Sequence, residues 1–247
     1  MRYHFPLLAA VVLWSCGGTD TPTKDNGATA DDLNGTGVYT DWPGYYDGTL
    51  PCADCEGIAT QLWVRSDSTF ILRQRYLGKD SLAFGTIGQW HVVNGLMTIG
   101  YTGDKPDFWQ VAKGGIQLVD EMGTPAESKL NYTLEKLSDE IYDQVPRMRL
   151  MGTFTYMADA KSFKPCGSLF TWPCAGGLDL GAEEGELIGS MDGAELERAY
   201  LNAVGTGGKP WTIEAECSLE QGPAMEGDGT EEYLLIHRVI GAVDACP

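Results

Sequence analysis

The stretch YDGTLPCADCEGIATQLWVRSDSTFILRQRYLG, Tyr46–Gly78, alternates apolar and polar side chains on both sides of a short polar turn. Ile58, Thr60, Leu62 and Val64 fall on one face of an extended chain, with Trp63 and Arg65 on the other. After Ser66-Asp67-Ser68, the residues Phe70, Leu72 and Tyr76 repeat the same period. A helix would space its apolar residues by a full turn, so these segments read as two antiparallel strands joined by a tight turn.

Outward from there the pattern continues in short units. GQWHVV (88–93) and LMTIGY (96–101) flank Asn94-Gly95, a dipeptide suited to the positive φ angles of a two-residue hairpin turn. DFWQVA (107–112) and IQLVDE (116–121) flank Lys113-Gly114-Gly115, and KLNYTLEKL (129–137) closes the series. Consecutive short strands without a long crossover predict an up-and-down meander over residues 39–140 that closes or half-closes into a small barrel. SDEIYDQVPRM (138–148), charged and carrying Pro146, marks a boundary.

Beyond it, residues 147–247 open with the strand MRLMGTFTYM and run through the loop SFKPCGSLFTWPCAGG (162–177). In DGAELERAYLNAVG, Asp192 is placed to cap a helix whose Leu196, Tyr200, Leu201 and Val204 share a face, with Gly205 ending it. KPWTIEAECSLEQ and EEYLLIHRVI add two strands. A few strands with one helix fit a small Greek-key barrel of the OB type, so the expected class is all-β.

The chain has 247 residues and is 43% hydrophobic, enough for a packed core. Against 17 Lys+Arg stand 35 Asp+Glu, a formal charge of -18 that repels nucleic-acid phosphates and anionic headgroups. No nucleic-acid partner is expected. Gly-x-Ser-x-Gly, His-Glu-x-x-His and phosphate-loop motifs are absent, so the chain reads as a non-enzyme with no required cofactor.

The first residues, MRYHFPLLAAVVLWSCGG, place Arg2 before an apolar run, Phe5–Trp14, that is too short to span a bilayer. Residues 1–15 read as an export signal. Leu13-Trp14-Ser15-Cys16 resembles the lipobox of bacterial lipoproteins, which implies diacylglycerol on Cys16 and a stable membrane anchor through acyl chains. Gly17 after the cysteine favours the outer membrane within that pattern. Residues 16–38, rich in Gly, Thr and Asp, then form a flexible tether.

With Cys16 lipidated, six of the seven cysteines remain: Cys52, Cys55, Cys166, Cys174, Cys217 and Cys246. Cys52-x-x-Cys55 admits three chemistries. A thiol catalyst would sit at a helix N-terminus, but the residues after Cys55 alternate as a strand, and Asp54 and Glu56 disfavour a thiolate. A Cu(I) site would use the two soft sulfurs, although no second Cys-x-x-Cys supplies further ligands. A disulfide at the mouth of the first hairpin is favoured by an oxidising compartment. His4 leaves with the signal, and His91 and His237, each alone in a strand, read as structural residues.

YDGTLPCADCEGIATQLWVRSDSTFILRQRYLGK, GQWHVVNGLMTI and ESKLNYTLEKL resemble the N-terminal domain of the NlpE family of copper-resistance and envelope-stress lipoproteins. GTFTYMADAKSFKPC, AELERAYL and a cysteine near the chain end resemble its C-terminal domain, so the likeness spans most of the mature chain. It implies a lipocalin-like half barrel carrying the Cys-x-x-Cys, followed by an OB-like barrel, in an outer-membrane lipoprotein that faces the periplasm. It also implies a bridge between Cys166 and Cys246. Cys174 and Cys217 are additions here, and pairing them with each other is the economical expectation; the inserted GSLFTWPCAGGLDLGAEEGELIG (167–189) departs from the family pattern as well. Family members sense copper, surface contact or defects in lipoprotein folding and export, and signal to the periplasmic domain of a Cpx-type histidine kinase. The alternatives from other classes are a Cu(I)-binding or buffering protein using Cys52 and Cys55, and a lipocalin-like carrier of a small ligand.

Overall fold

The alternation seen in the sequence becomes eight short strands: β1 Gly44–Leu50, β2 Ile58–Val64, β3 Thr69–Tyr76, β4 Ala83–Val93, β5 Leu96–Gly100, β6 Asp107–Ala112, β7 Gly115–Val119 and β8 Thr133–Ser138. The computed structural model describes residues 42–100, 105–138, 144–158, 160–175 and 191–246. The export signal (1–15), Cys16 and the tether (16–38) lie outside the described residues. Each strand pairs antiparallel with the next, and β1 also pairs with β8, so the meander closes on itself. Closure gives every strand of this meander a neighbour on both sides, although the start of β4 extends beyond β5. At the β4–β5 turn, Asn94 (φ 53°) and Gly95 (φ 79°) both take positive φ, as a tight hairpin of this twist requires.

Residues of one parity point inward. Leu62 pairs with Leu72, Val64 with Phe70, and Met97 with Trp109, and these pack with Trp42, Tyr46 and Ile116 into the barrel core. The other parity is not left to solvent on strands β1 to β4: Tyr45, Trp63, Ile71 and Ile87 face outward from the barrel yet are buried, Trp63 to 1% exposure. Their cover comes from the rest of the chain.

That part is built on β9 (Gln144–Met157), flanked by β10 (Ala160–Pro165) on one side and β12 (Trp211–Pro223) on the other, with β13 (Thr230–Ala242) beyond β12. The two-residue strand β11 (Trp172–Pro173) edges β10, and Cys174 just after it forms a parallel bridge with Leu234 of β13. The helix α1 (Gly193–Val204) begins where the Asp192 carboxylate accepts from the Glu195 N–H at 2.6 Å and ends at Gly205, whose φ of 80° needs no Cβ. Leu196 and Tyr200 enter the core. Leu201, expected on that same face, is 37% exposed, because one residue beyond Tyr200 is about 100° round the helix axis.

The two cores meet. Ala83 and Phe84 of β4 pair in parallel with Met148 and Arg149 of β9, so the sheets run on from one another. Tyr45, Trp63, Ile71 and Ile87 share one apolar cluster with Val145, Met148, Leu150 and Phe154. Gly85 permits this approach, since a Cβ there would lie 2.5 Å from the Met148 sulfur. The described residues all fall within one compact unit, Gly37–Pro247.

Candidate functional site

Cys52 and Cys55 sit in the turn from β1 to β2 and are joined, with an S–S distance of 2.00 Å and Cα atoms 5.3 Å apart. Gly57 takes a φ of 151° after the second cysteine, and a Cβ there would meet Thr49 at 2.5 Å. The Leu77 N–H donates to the Gly57 carbonyl at 2.9 Å, which ties the turn to the end of β3. Asp54 projects into solvent between the cysteines and accepts a hydrogen bond from Lys79. That hydrogen bond, reinforced by the ammonium charge, holds the Asp54 carboxyl below its usual range.

Among the described residues, the group of three or more metal-type donors that falls together is Cys52, Asp54 and Cys55, whose ligand atoms lie within 4.8 Å of one another. Joined sulfurs do not offer the thiolates that a soft cation binds, and Lys79 already occupies the carboxylate. The oxidised turn therefore does not fit a resident copper ion. Reduction would release two thiols, soft donors that lose their protons on binding Cu(I), with the carboxylate adding only negative charge nearby.

On the second half of the chain, Cys166 and Cys246 are bonded at 2.05 Å across a sequence separation of 80. The expected partnership of Cys174 with Cys217 is corrected by the structure: both are free thiols. Cys217 is fully buried on β12 and paired with Ile236 of β13, while Cys174 lies on the other side of β13 opposite Leu234. Burial pushes both thiols up, Cys217 further through the nearby Cys174 and Glu216, so neither is a nucleophile at neutral pH. His91 is exposed on β4, and His237 is buried against the Ser218 hydroxyl at 2.8 Å. Neither histidine joins the Cys52–Cys55 group.

Sequence reasoning missed the polar contact that ties the two halves together. Arg65, at the end of β2, makes a two-pronged ion pair with Glu232 of β13, at 2.8 and 2.5 Å. Trp172 donates its indole N–H to the same carboxylate at 2.7 Å. The two charged side chains are 13% and 16% exposed, which makes this pair far less screened than an ordinary surface bridge. No local signal could have found it, since 167 residues separate the partners.

Among the described residues no helix is long and apolar enough to cross a membrane. Residues 46–129 match the family described as the NlpE N-terminal domain, and residues 144–245 match the one described as the NlpE C-terminal OB domain. Lipoprotein NlpE of Escherichia coli (strain K12) is 33% identical over 186 residues, covering 73% of this chain and 71% of its own. The crystal structure of the Cpx pathway activator NlpE from Escherichia coli is 28% identical, covers 79% of this chain and 93% of that one, and superposes with a TM-score of 0.32. A crystallised chain from Shewanella oneidensis is 35% identical over 39% of this chain and 90% of its own, with a TM-score of 0.35. With both halves matched in order and a relative 33% identical over 73% of this chain, the chain belongs to the NlpE lipoprotein family.

Proposed function

We propose that this chain is a non-enzymatic outer-membrane lipoprotein, anchored through Cys16 and facing the periplasm, that senses envelope stress and signals by contact with the periplasmic domain of a Cpx-type histidine kinase. Its organisation would be an export signal (1–15), a tether (16–38), a first barrel (39–140) and an OB-like module (147–247). Membership of both halves in one family carries this, together with the Escherichia coli relative named as activator of the Cpx pathway. The Cys166–Cys246 bridge supplies a physical input: it spans 80 residues, so its absence in a stressed envelope removes a large constraint from the second module.

The test is expression of the full chain in a host lacking its own family member, with a kinase-dependent stress reporter. Overproduction of the wild-type chain raises the reporter, Cys166→Ser raises it further, and Cys16→Ser, which cannot be lipidated, changes the response. A wild-type chain that reaches the membrane fraction and leaves the reporter flat would overturn the signalling role.

The clustering of Cys52, Asp54 and Cys55 favours one second reading, Cu(I) capture after reduction of the turn. It requires stoichiometric Cu(I) uptake by the reduced chain that a Cys52→Ser, Cys55→Ser variant loses.

A further inference from the structure

The first barrel is not filled to its mouth. A cavity of about 190 Å³ opens on the inner side of strands β3 to β6, walled by Phe70, Leu72 and Ile99 and also lined by Gln74, Lys105 and Asp107. Register places Gln74 and Asp107 on the inward face, since Gln74 lies two residues beyond Leu72 on β3 and Asp107 is directly opposite Ile99, while Lys105 stands on the exposed rim just before β6. Inward positions of a small barrel are ordinarily apolar, and a polar group left there without a partner costs stability.

Three of the polar groups here, on Gln74, Lys105 and Asp107, have no partner among the described residues. The Gln74 amide and the Asp107 carboxylate make no side-chain hydrogen bond or ion pair with another described residue, and Lys105 and Asp107, both on the cavity, do not pair with each other. Although Asp107 reaches solvent, burial by the surrounding wall pushes its carboxyl up, with no cation offsetting the effect. One step deeper on the same face of β6, Trp109 is 1% exposed and its indole N–H has no acceptor among the described residues. Apolar and polar side chains share this lining, Thr86 among the latter, and unpaired polar groups converging on a concave site are what orients a ligand there.

We propose that this cavity binds a small zwitterion, an apolar α-amino acid or a molecule of that chemistry, with Asp107 and Gln74 accepting from its ammonium, Lys105 donating to its carboxylate and Phe70, Leu72 and Ile99 covering its apolar body. Opposite charges that face one cavity without neutralising each other match a ligand carrying both. The volume, below the common range for drug-sized sites, limits the ligand to the size of a single amino acid. Binding is weak, with a Kd of about 1–10 mM, as a fragment with two exposed ion pairs allows.

The experiment is titration of the full ¹⁵N-labelled chain with leucine, with isoamylamine (ammonium alone) and with isovalerate (carboxylate alone), following the amides of Thr86, Gly100 and Asp107. Leucine is expected to saturate these shifts, and each single-charge analogue to bind about tenfold more weakly. Asp107→Asn, near-isosteric and compatible with the fold, weakens leucine and isoamylamine about tenfold and leaves isovalerate unchanged. Lys105→Gln, on the exposed rim, weakens leucine and isovalerate and leaves isoamylamine unchanged. Absence of saturable shifts up to about 50 mM leucine, several times the Kd, would overturn the proposal, as the cavity would then hold only solvent. Equal binding of all three probes, or leucine binding unaltered in both variants, would overturn it too.

Discussion

The two disulfides differ in what they enclose. Cys52 and Cys55 are 3 apart in an exposed turn whose flanking strands already pair from Gly44↔Val64 to Leu50↔Ile58. Cys166 and Cys246 are 80 apart, and their bridge pins the chain end beyond β13 to the end of β10. By loop-closure entropy the first constrains the unfolded chain by at most about 2 kcal/mol and the second by about 4–5 kcal/mol. The first can therefore change redox state without loosening its barrel. The second cannot, and a redox signal that must alter shape belongs on the second module.

The largest expected effect tests that difference directly. Replacing both Cys166 and Cys246 by Ser lowers the stability of the second module by about 2–5 kcal/mol. Hydrogen exchange resolves it: amides of β12 and β13 lose protection while those of β2 and β3 keep theirs. A uniform loss would break the comparison, because it would mean that the shared apolar cluster of Tyr45, Trp63, Met148 and Phe154 makes the two halves unfold as one.

The clamp between the halves sharpens the same question. Glu232→Gln keeps an oxygen for the Trp172 indole but leaves the Arg65 guanidinium, 13% exposed, without its counter-charge. For a pair this shielded yet not fully buried, the expected loss is about 2 kcal/mol, below the cost of breaking a fully buried pair. Urea unfolding followed by tryptophan fluorescence measures it. Near-zero loss would show that the apolar cluster alone holds the halves together.

Much of this was legible in the sequence, for reasons that can be named. The period of two in Ile58–Val64 and Phe70–Leu72, and the Asn94-Gly95 turn, are local signals, and the strands and hairpins they dictate are local structures. Asp192 and Gly205 bounded the helix in the same way. Three features were out of reach. The face carrying Trp63 and Arg65 could be told from the other by period alone, but nothing near them announces that β9 and β13 will cover it. Pairing Cys174 with Cys217 followed from counting thiols, but the fold sets them on opposite sides of β13. The Asp107 carboxylate looked like a strand end, and only the register opposite Ile99 turns it into a cavity wall.

The smallest effect concerns the charge beside the exposed disulfide. Lys79 holds the Asp54 carboxyl below its ordinary value of 3.8, first by a hydrogen bond and then by its charge. A carboxylate whose folded pKa is depressed adds stability above its unfolded value and loses it as pH falls through the folded one, so the window lies below about pH 4. Because Asp54 is fully exposed, salt weakens the contact and stability hardly registers it. A carboxyl-carbon NMR titration does: Asp54 is expected to titrate below 3.8, and Lys79→Gln to return it toward that value. The consequence reaches the disulfide. With Lys79 present, an attacking thiolate meets a neutralised carboxylate at the turn; with Lys79→Gln it meets a bare negative charge, and reduction by a small anionic thiol slows by a few-fold at low salt. Equal reduction rates in both proteins would show that the Asp54–Lys79 pair guards the geometry of the turn and has no part in its redox access.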